Sequence, residues 1–300
     1  MNKIQARYYQ KQSSAFSYLC SPVITVTGIC MRNILEFYKY EGTGNDFVMI
    51  DNRDQNFRKD TELIKNLCDR RFGIGGDGLI LLENDSEDSS HLQKESSKSA
   101  DFKMVYYNSD GNESTMCGNG GRCIVAFAHF LDVFEEKCTF NAIDGLHEAA
   151  VSNGIVKLKM IDVKNITKDG DASVMNTGSP HYVKYVEDLE DFEVYERGSE
   201  IRNSETYRRE GINVNFVEKI NNGELFVRTY ERGVEDETYS CGTGVTAAAL
   251  TYLQNQDSDS VNIKVLGGNL KVYAEKDGEN FKNIWLEGPA KHVFKGKINI

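Results

Sequence analysis

Two stretches of the chain, "STMCGNGGRCIVAFAHF" (114–130) and "TYSCGTGVTAAALTYL" (238–253), share one layout: a cysteine, then Gly-x-Gly, then an almost wholly apolar run. The layout predicts that Cys117 and Cys241 each stand where a helix begins. The first amides of a helix have no partner within it, and the helix dipole makes that end positive. A thiol there has a lowered pKa and more thiolate character, and the glycines let backbone approach a ligand closely. Several such amides can cradle a carboxylate. One cysteine of this kind is ordinarily structural, but two facing a single pocket have a specific use. A thiolate takes a proton from one face of a carbon, and the opposite thiol returns one to the other face. A thiol pKa of about 8.5 is near enough to neutral for that work once shifted. One sulfur must be charged while the other is neutral, so the pair titrates as a unit.

Other cysteine chemistry fits less well. A metal at Cys117 and Cys123 would need further ligands, but the chain has 5 His and no second short-spaced Cys pair. No metal is therefore expected. A Cys–His nucleophile would account for one cysteine and leave its repeat unexplained. Cys68, Cys123 and Cys138 read as structural.

The elements that must position the two thiols follow from the hydrophobic pattern. "ILEFYKYEG" predicts a strand, "TGNDFVMIDNR" a turn and a second strand, and "TELIKNLCDRRFG" a helix stopping at Gly73. "GLILLE" and "FKMVYYN" predict strands, followed by the first cysteine and a helix to about Leu131. The polar run 84–100 reads as a solvated loop, and "GIVKLKMIDV" as an alternating strand at a domain edge. The second half runs in the same order: strands in "GINVNFVEKI" and "GELFVRTYERG", the second cysteine and helix, a hairpin in "VNIKVLGGNLKVYAE", and closing strands in "NIWLEGPAKHVFKGKINI". Both helices are apolar on every face, which predicts burial on all sides, with sheet wrapped around them. "YNSDGNESTMCGNG" lies over "YERGVEDETYSCGTG" with one gap, and "GTGNDFV" loosely over "GINVNFV". This internal duplication predicts two similar domains related by approximate twofold symmetry.

Composition narrows the partners. The chain has 300 residues, 40% of them hydrophobic, enough for one large or two medium cores. A formal net charge of −11 with no basic block argues against nucleic acid and against an anionic membrane surface. The 7 cysteines are odd in number and irregularly spaced, which fits a reducing compartment, the cytoplasm, better than a disulfide framework. Residues 1–30 are basic and free of acids, and the apolar run within them is broken by Pro22. They are read as an upstream start or inert extension before Met31, with a targeting segment as the alternative.

"GTGNDFV", "GIGGDGLI", "YNSDGNESTMCGNGGRC", "GSPHYV" and "YERGVEDETYSCGTG", in this order, resemble the diaminopimelate epimerase family from about Leu35 to the end of the chain. The resemblance implies an α/β (α+β) fold: two pseudo-symmetric domains, each a mostly antiparallel sheet or barrel around a central apolar helix, with the site in the cleft. The expected boundaries are 31–160 plus 287–300 for the domain carrying the first cysteine, and 161–286 for the domain carrying the second. The implied activity is interconversion of L,L- and meso-diaminopimelate without pyridoxal phosphate or any other cofactor, on the route to lysine and peptidoglycan. By resemblance Cys117 and Cys241 are the acid/base pair. Asn45, Asn108 and Asn213 match substrate-binding asparagines. Gly118 and Asn119, and Gly242 and Thr243, match the amides that hold the carboxylate at the reacting centre. Arg232 suits a carboxylate and Glu231 an ammonium, and His181 matches a histidine supporting the site near the first cysteine.

Two departures from the pattern stand out. Gly78 takes the place of a glutamine found in some members, so that contact is not carried over. Ser179 replaces an asparagine and keeps only a hydroxyl. The rivals are a proline racemase-like enzyme, a phenazine-biosynthesis-type isomerase without the cysteine pair, and a non-catalytic ligand-binding or redox-sensing protein. The partner implied is a small molecule, with homodimer assembly left open.

Overall fold

The computed structural model describes residues 34–85 and 100–300. The extension 1–30, with Cys20 and Cys30, lies outside the described residues, as does most of the loop expected over 84–100. The chain divides into Met1–Leu35 with Asn299–Ile300, and Glu36–Ile298. The fold described below is that of the second unit.

Its first half runs β1 (Ile34–Gly42), β2 (Asn45–Asp51), α1 (Thr61–Cys68), β3 (Gly78–Glu83), β4 (Phe102–Asn108), α2 (Gly118–Phe130), β5 (Lys137–Ala142), β6 (Gly145–Ser152) and β7 (Ile155–Lys159). The second half runs β8 (Thr167–Asp169), β9 (Ala172–Asn176), β10 (Pro180–Tyr185), α3 (Val194–Arg202), β11 (Asn213–Asn221), β12 (Glu224–Glu231), β13 (Asp236–Thr238), α4 (Gly242–Leu253), β14 (Ser260–Val265), β15 (Gly268–Asp277), β16 (Asn280–Pro289) and β17 (Lys291–Asn299). Strand β3 reads as an unbroken apolar run because β2 and β4 flank it and all its residues are buried. Helix α1 ends at Cys68, before the expected Gly73. The Asp69 carboxylate accepts from the Arg71 and Phe72 amides, both at 2.7 Å, which turns the chain away from helix.

The duplication is written in the pairing order. β1–β2 is antiparallel, β2–β3 parallel, β3–β4 antiparallel and β4–β5 parallel; β5–β6 and β6–β7 are antiparallel. The series from β9 is the same: β9–β10 antiparallel, β10–β11 parallel, β11–β12 antiparallel, β12–β14 parallel, then β14–β15 and β15–β16 antiparallel. A parallel pair requires a crossover, and each cysteine helix lies in the second crossover of its half. The β7–β16 pair joins the halves into one ladder. This order corrects one expected match. "GTGNDFV" opens β2, whose counterpart is β10, so it belongs over "TGSPHYV"; "GINVNFV" leads into β11, the counterpart of β3. Shared glycine and asparagine turn residues, which recur at many strand starts, produce the misleading overlay.

Both helices sit in one apolar core that includes Phe127, Ile124, Val245 and Leu250. Helix α4 is buried to its last residue, as expected. Helix α2 is not: His129 and Phe130 are exposed, and Phe130 packs at 5.8 Å against Tyr38 and 5.5 Å against His292 at the rim of the sheet. Its last turn projects past the strands that cover the rest.

Candidate active site

Cys117 and Cys241 are the N-cap residues of α2 and α4, both with extended backbone. The Cys117 sulfur accepts from the Gly120 amide at 3.2 Å. The Cys241 sulfur lies 3.4 Å from the Thr243 hydroxyl. Both thiols are free. The residues that follow them meet: a Cβ on Gly118 would lie 3.3 Å from the Gly242 Cα, and a Cβ on Gly242 would lie 3.2 Å from the Gly118 Cα. The two helix N-termini therefore touch backbone to backbone, a contact that only glycine allows. Leu286, whose Cδ2 would lie 3.1 Å from a Cβ on Gly242, closes the space beside them.

A polar network ties the two starts together. The Asn119 amide donates to Asn45 Oδ1 at 2.5 Å and to the Ser240 carbonyl at 3.0 Å. Thr43 donates to the Ser240 hydroxyl at 3.1 Å. Arg122, fully buried, donates to the Gly118 carbonyl at 3.1 Å, and to Asn119 Oδ1 and the Thr43 hydroxyl at 2.9 Å each. One guanidinium thus holds Gly118 and Asn119 beside the first cysteine and reaches Ser240 beside the second through Thr43, and it pairs with no carboxylate among the described residues. Asn45 donates in turn to Asp77 at 3.0 Å, and Asp77 is held by Arg70 at 2.7 Å.

On the other side Asn213 donates to the Ser179 hydroxyl at 2.8 Å and accepts from the Arg232 amide at 2.9 Å. The exposed Arg232 guanidinium donates to the Glu210 carbonyl at 3.0 Å. The charge of neighbouring Glu231 bears on both thiols instead. Its carboxylate accepts from Thr238 at 3.0 Å, and burial pushes its pKa up. Asn108 is exposed at the end of β4. Among the described residues no group of three or more His, Cys, Asp and Glu side chains is gathered as a metal ion would need.

Two expectations change. First, a helix start lowers a thiol pKa, yet burial pushes both thiols up, Cys241 to about 12, and the Glu231 charge adds to the rise. The amides at Gly120 and Gly244 oppose this but do not overcome the loss of water. Second, His181 bonds within the second half. Its Nδ1 meets the Asn215 amide at 3.0 Å, and Asn215 Oδ1 would be 2.2 Å from a Cβ on Gly244, in the second cysteine's helix. The Asn215 amide is a donor, so Nδ1 accepts and Nε2 carries the proton, buried without a partner among the described residues. Burial lowers the His181 pKa to about 3, so the ring is neutral.

Arg122, Thr43, Ser240 and Asn215 belong to the polar network around the candidate site, and residue-by-residue reading misses them. The available signal was Arg122 itself, a lone charge in an otherwise apolar helical run.

The diaminopimelate epimerase family model matches residues 37–165 and 173–293. A diaminopimelate epimerase from Flavobacterium psychrophilum is 51% identical over 268 residues, covering 88% of this chain and 100% of that one. Another, from Chlorobaculum tepidum, is 40% identical and covers 86% of this chain and 99% of that one. The chain belongs to the diaminopimelate epimerase family. Solved structures at low identity share the fold. A PhzF-family phenazine biosynthesis protein from Bacillus anthracis superposes with a TM-score of 0.66 at 15% identity, over 89% of this chain and 100% of that one. A hydroxyproline epimerase from Agrobacterium vitis gives 0.63 at 15%, over 90% and 94%. The fold is the mixed, sheet-rich α+β arrangement expected, and the chain is an isomerase of the diaminopimelate epimerase family. No helix among the described residues is long and apolar enough to cross a membrane.

Proposed function

We propose that the protein inverts one α-carbon of diaminopimelate, converting the L,L to the meso isomer, with Cys117 and Cys241 as the two proton carriers. The observation that carries this reading is the contact between Gly118 and Gly242, which brings two thiol-bearing helix starts to one place. One sulfur, as thiolate, removes the α-proton. The other, as thiol, delivers a proton to the opposite face, and which is base depends on the isomer bound. The amides after each cysteine hold the carboxylate and spread the charge that develops on it. Burial keeps both sulfurs protonated when alone, so the cationic ammonium of the substrate is the charge that offsets a thiolate beside Glu231.

Asn45, Asn108, Asn213, Ser179 and Arg232 supply polar groups for a long substrate with two amino-acid ends. Glu231 suits an ammonium, and His181 supports the second half through Asn215. The compact ring of proline would leave most of these unused. We read the lobes as 31–160 with 287–300, and 161–286; the repeated pairing order, meeting at β7 and β16, supports that division. The free thiols support a reducing compartment such as the cytoplasm.

The test incubates purified, reduced protein with L,L-diaminopimelate in D2O and follows α-hydrogen exchange and isomer composition by NMR. Native protein exchanges and epimerises, while Cys117→Ala and Cys241→Ala each fail to epimerise. Well-folded native protein that does neither would sink the reading.

A further inference from the structure

Gly78 carries no side chain at the mouth of β3, and the space above it is filled. A Cβ there would lie 2.6 Å from Tyr106 Cε2, 3.2 Å from the Tyr106 hydroxyl and 2.5 Å from the Tyr107 carbonyl. The Tyr106 ring thus covers Gly78, and its hydroxyl extends beyond the glycine. Tyr106 and Asn108 are two residues apart on β4, so their side chains share a face, and Gly78 pairs with Asn108 while Ile80 pairs with Tyr106. The same face carries the first cysteine's helix: a Cβ on Gly120 would meet the Cys117 sulfur at 3.2 Å, Ile80 at 3.3 Å and Met104 at 3.6 Å. Phe47 packs edge-on to the Tyr106 ring at 6.0 Å and fixes its tilt. Tyr106 is only partly buried, and no hydrogen-bond partner for its hydroxyl occurs among the described residues.

Resting on the reading of function above, we propose that the Tyr106 hydroxyl is a substrate-binding group, accepting a hydrogen bond from an ammonium of diaminopimelate beyond the glycine that its ring covers. An ammonium fits the surroundings better than a carboxylate. The acids whose charge bears on the phenol are Asp77, the neighbour of Gly78, and Glu231, and the Cys117 thiol bears on it as well. Burial and these charges keep the phenol protonated, so it is a neutral oxygen with lone pairs to offer. The cations beside Asp77 and Gly76, Arg70 and Lys39, are engaged with Asp46 and, for Arg70, with Asp77. Gly78 and Tyr106 therefore act as one unit, since a side chain at 78 would collide with the ring that supplies the contact.

The test is Tyr106→Phe, which keeps the ring over Gly78 and removes one oxygen. Losing a hydrogen bond to a charged group should raise KM for L,L-diaminopimelate about tenfold or more, and the calorimetric Kd with it. The thermal midpoint should not move, and kcat should change less than threefold (an order-of-magnitude bound for a contact kept in both ground and transition states). The Ki of pimelate, which has both carboxylates and no ammonium, should be the same for both proteins. A Kd for diaminopimelate unchanged in the variant overturns the proposal and leaves the proposed function standing. A pimelate Ki that rises as much as KM moves the contact to a carboxylate and overturns the ammonium assignment. Native protein that neither binds nor epimerises diaminopimelate removes the parent reading, and this one with it.

Discussion

Gly242→Ala tests whether the contact between the two helix starts sets the distance between the thiols. The added Cβ would stand 3.2 Å from the Gly118 Cα and 3.1 Å from Leu286 Cδ2. Ordinary carbon contacts sit at about 3.5–4.0 Å, so each falls short by a few tenths of an ångström. The Leu286 methyl can swing away. The Gly118 Cα cannot, because it is backbone in the first residue of α2, anchored by Arg122 on its own carbonyl. The two helix starts must therefore part by about 0.4 Å, the gap between the built contact and van der Waals separation. A misplacement of about 1 Å costs on the order of a hundredfold in rate, so about 0.4 Å should cost roughly fivefold to tenfold in kcat. Overpacking costs about 1–3 kcal/mol and the better helix propensity of alanine returns up to about 1. Net destabilisation of about 1–2 kcal/mol lowers Tm by about 2–8 °C in a chain of this size. The assay is steady-state epimerisation beside thermal unfolding, with Gly118→Ala/Gly242→Ala as the companion. Two methyls meeting head-on should lose more than the sum of the single variants. A single variant with native kcat and Tm, or an additive double variant, would refute the idea that this contact spaces the thiols.

Two further outcomes follow from the site. Burial and Glu231 push both thiols up, Cys241 to about 12, so free enzyme near neutral pH carries little thiolate. The value of kcat/KM, which reports the free enzyme, should therefore climb through pH 8 without a plateau, and a plateau beginning below pH 7 in a pH–rate profile would contradict the geometry. Arg122→Met should leave the acceptors on Gly118, Asn119 and Thr43 without their donor. Three hydrogen bonds from a charged donor are lost, at about 1.5–3 kcal/mol each when none is replaced, so the total should reach about 3 kcal/mol or more, and a loss under about 1 kcal/mol in urea unfolding would show that water replaces the guanidinium.

What the sequence discloses and what it withholds divide along a physical line. The cysteine junctions are legible because every feature that makes them (cap residue, glycines, apolar run) lies within one helix length. The strand "GLILLE" is legible because a buried central strand has no polar face to interrupt it. The thiol pKa values are not legible, because a helix start is a local property whereas desolvation depends on what packs above it. The complementarity of Gly78 and Tyr106 joins neighbouring strands, and no periodicity along either reveals it. Helix α3 escapes notice because "VYERGSEIR" buries only Val194 and Gly198 and offers a faint apolar face. The equivalence of "TGNDFV" and "TGSPHYV" emerges only from strand pairing, since few identities survive between the two copies.

The ladder has a consequence for how the chain is made. Strand β17 pairs with β1, and β16 with β7; Lys295 bonds to Tyr38 across 257 residues. On the ribosome the first half emerges with its cysteine helix and most of its strands, yet both outer strands of its sheet lack partners that are still to be synthesised. Bare edges of this kind invite pairing with other chains, and contacts this distant in sequence form slowly. The last dozen residues include none of the candidate site residues, yet a nascent chain that stalls before them should remain open, aggregation-prone and dependent on chaperones.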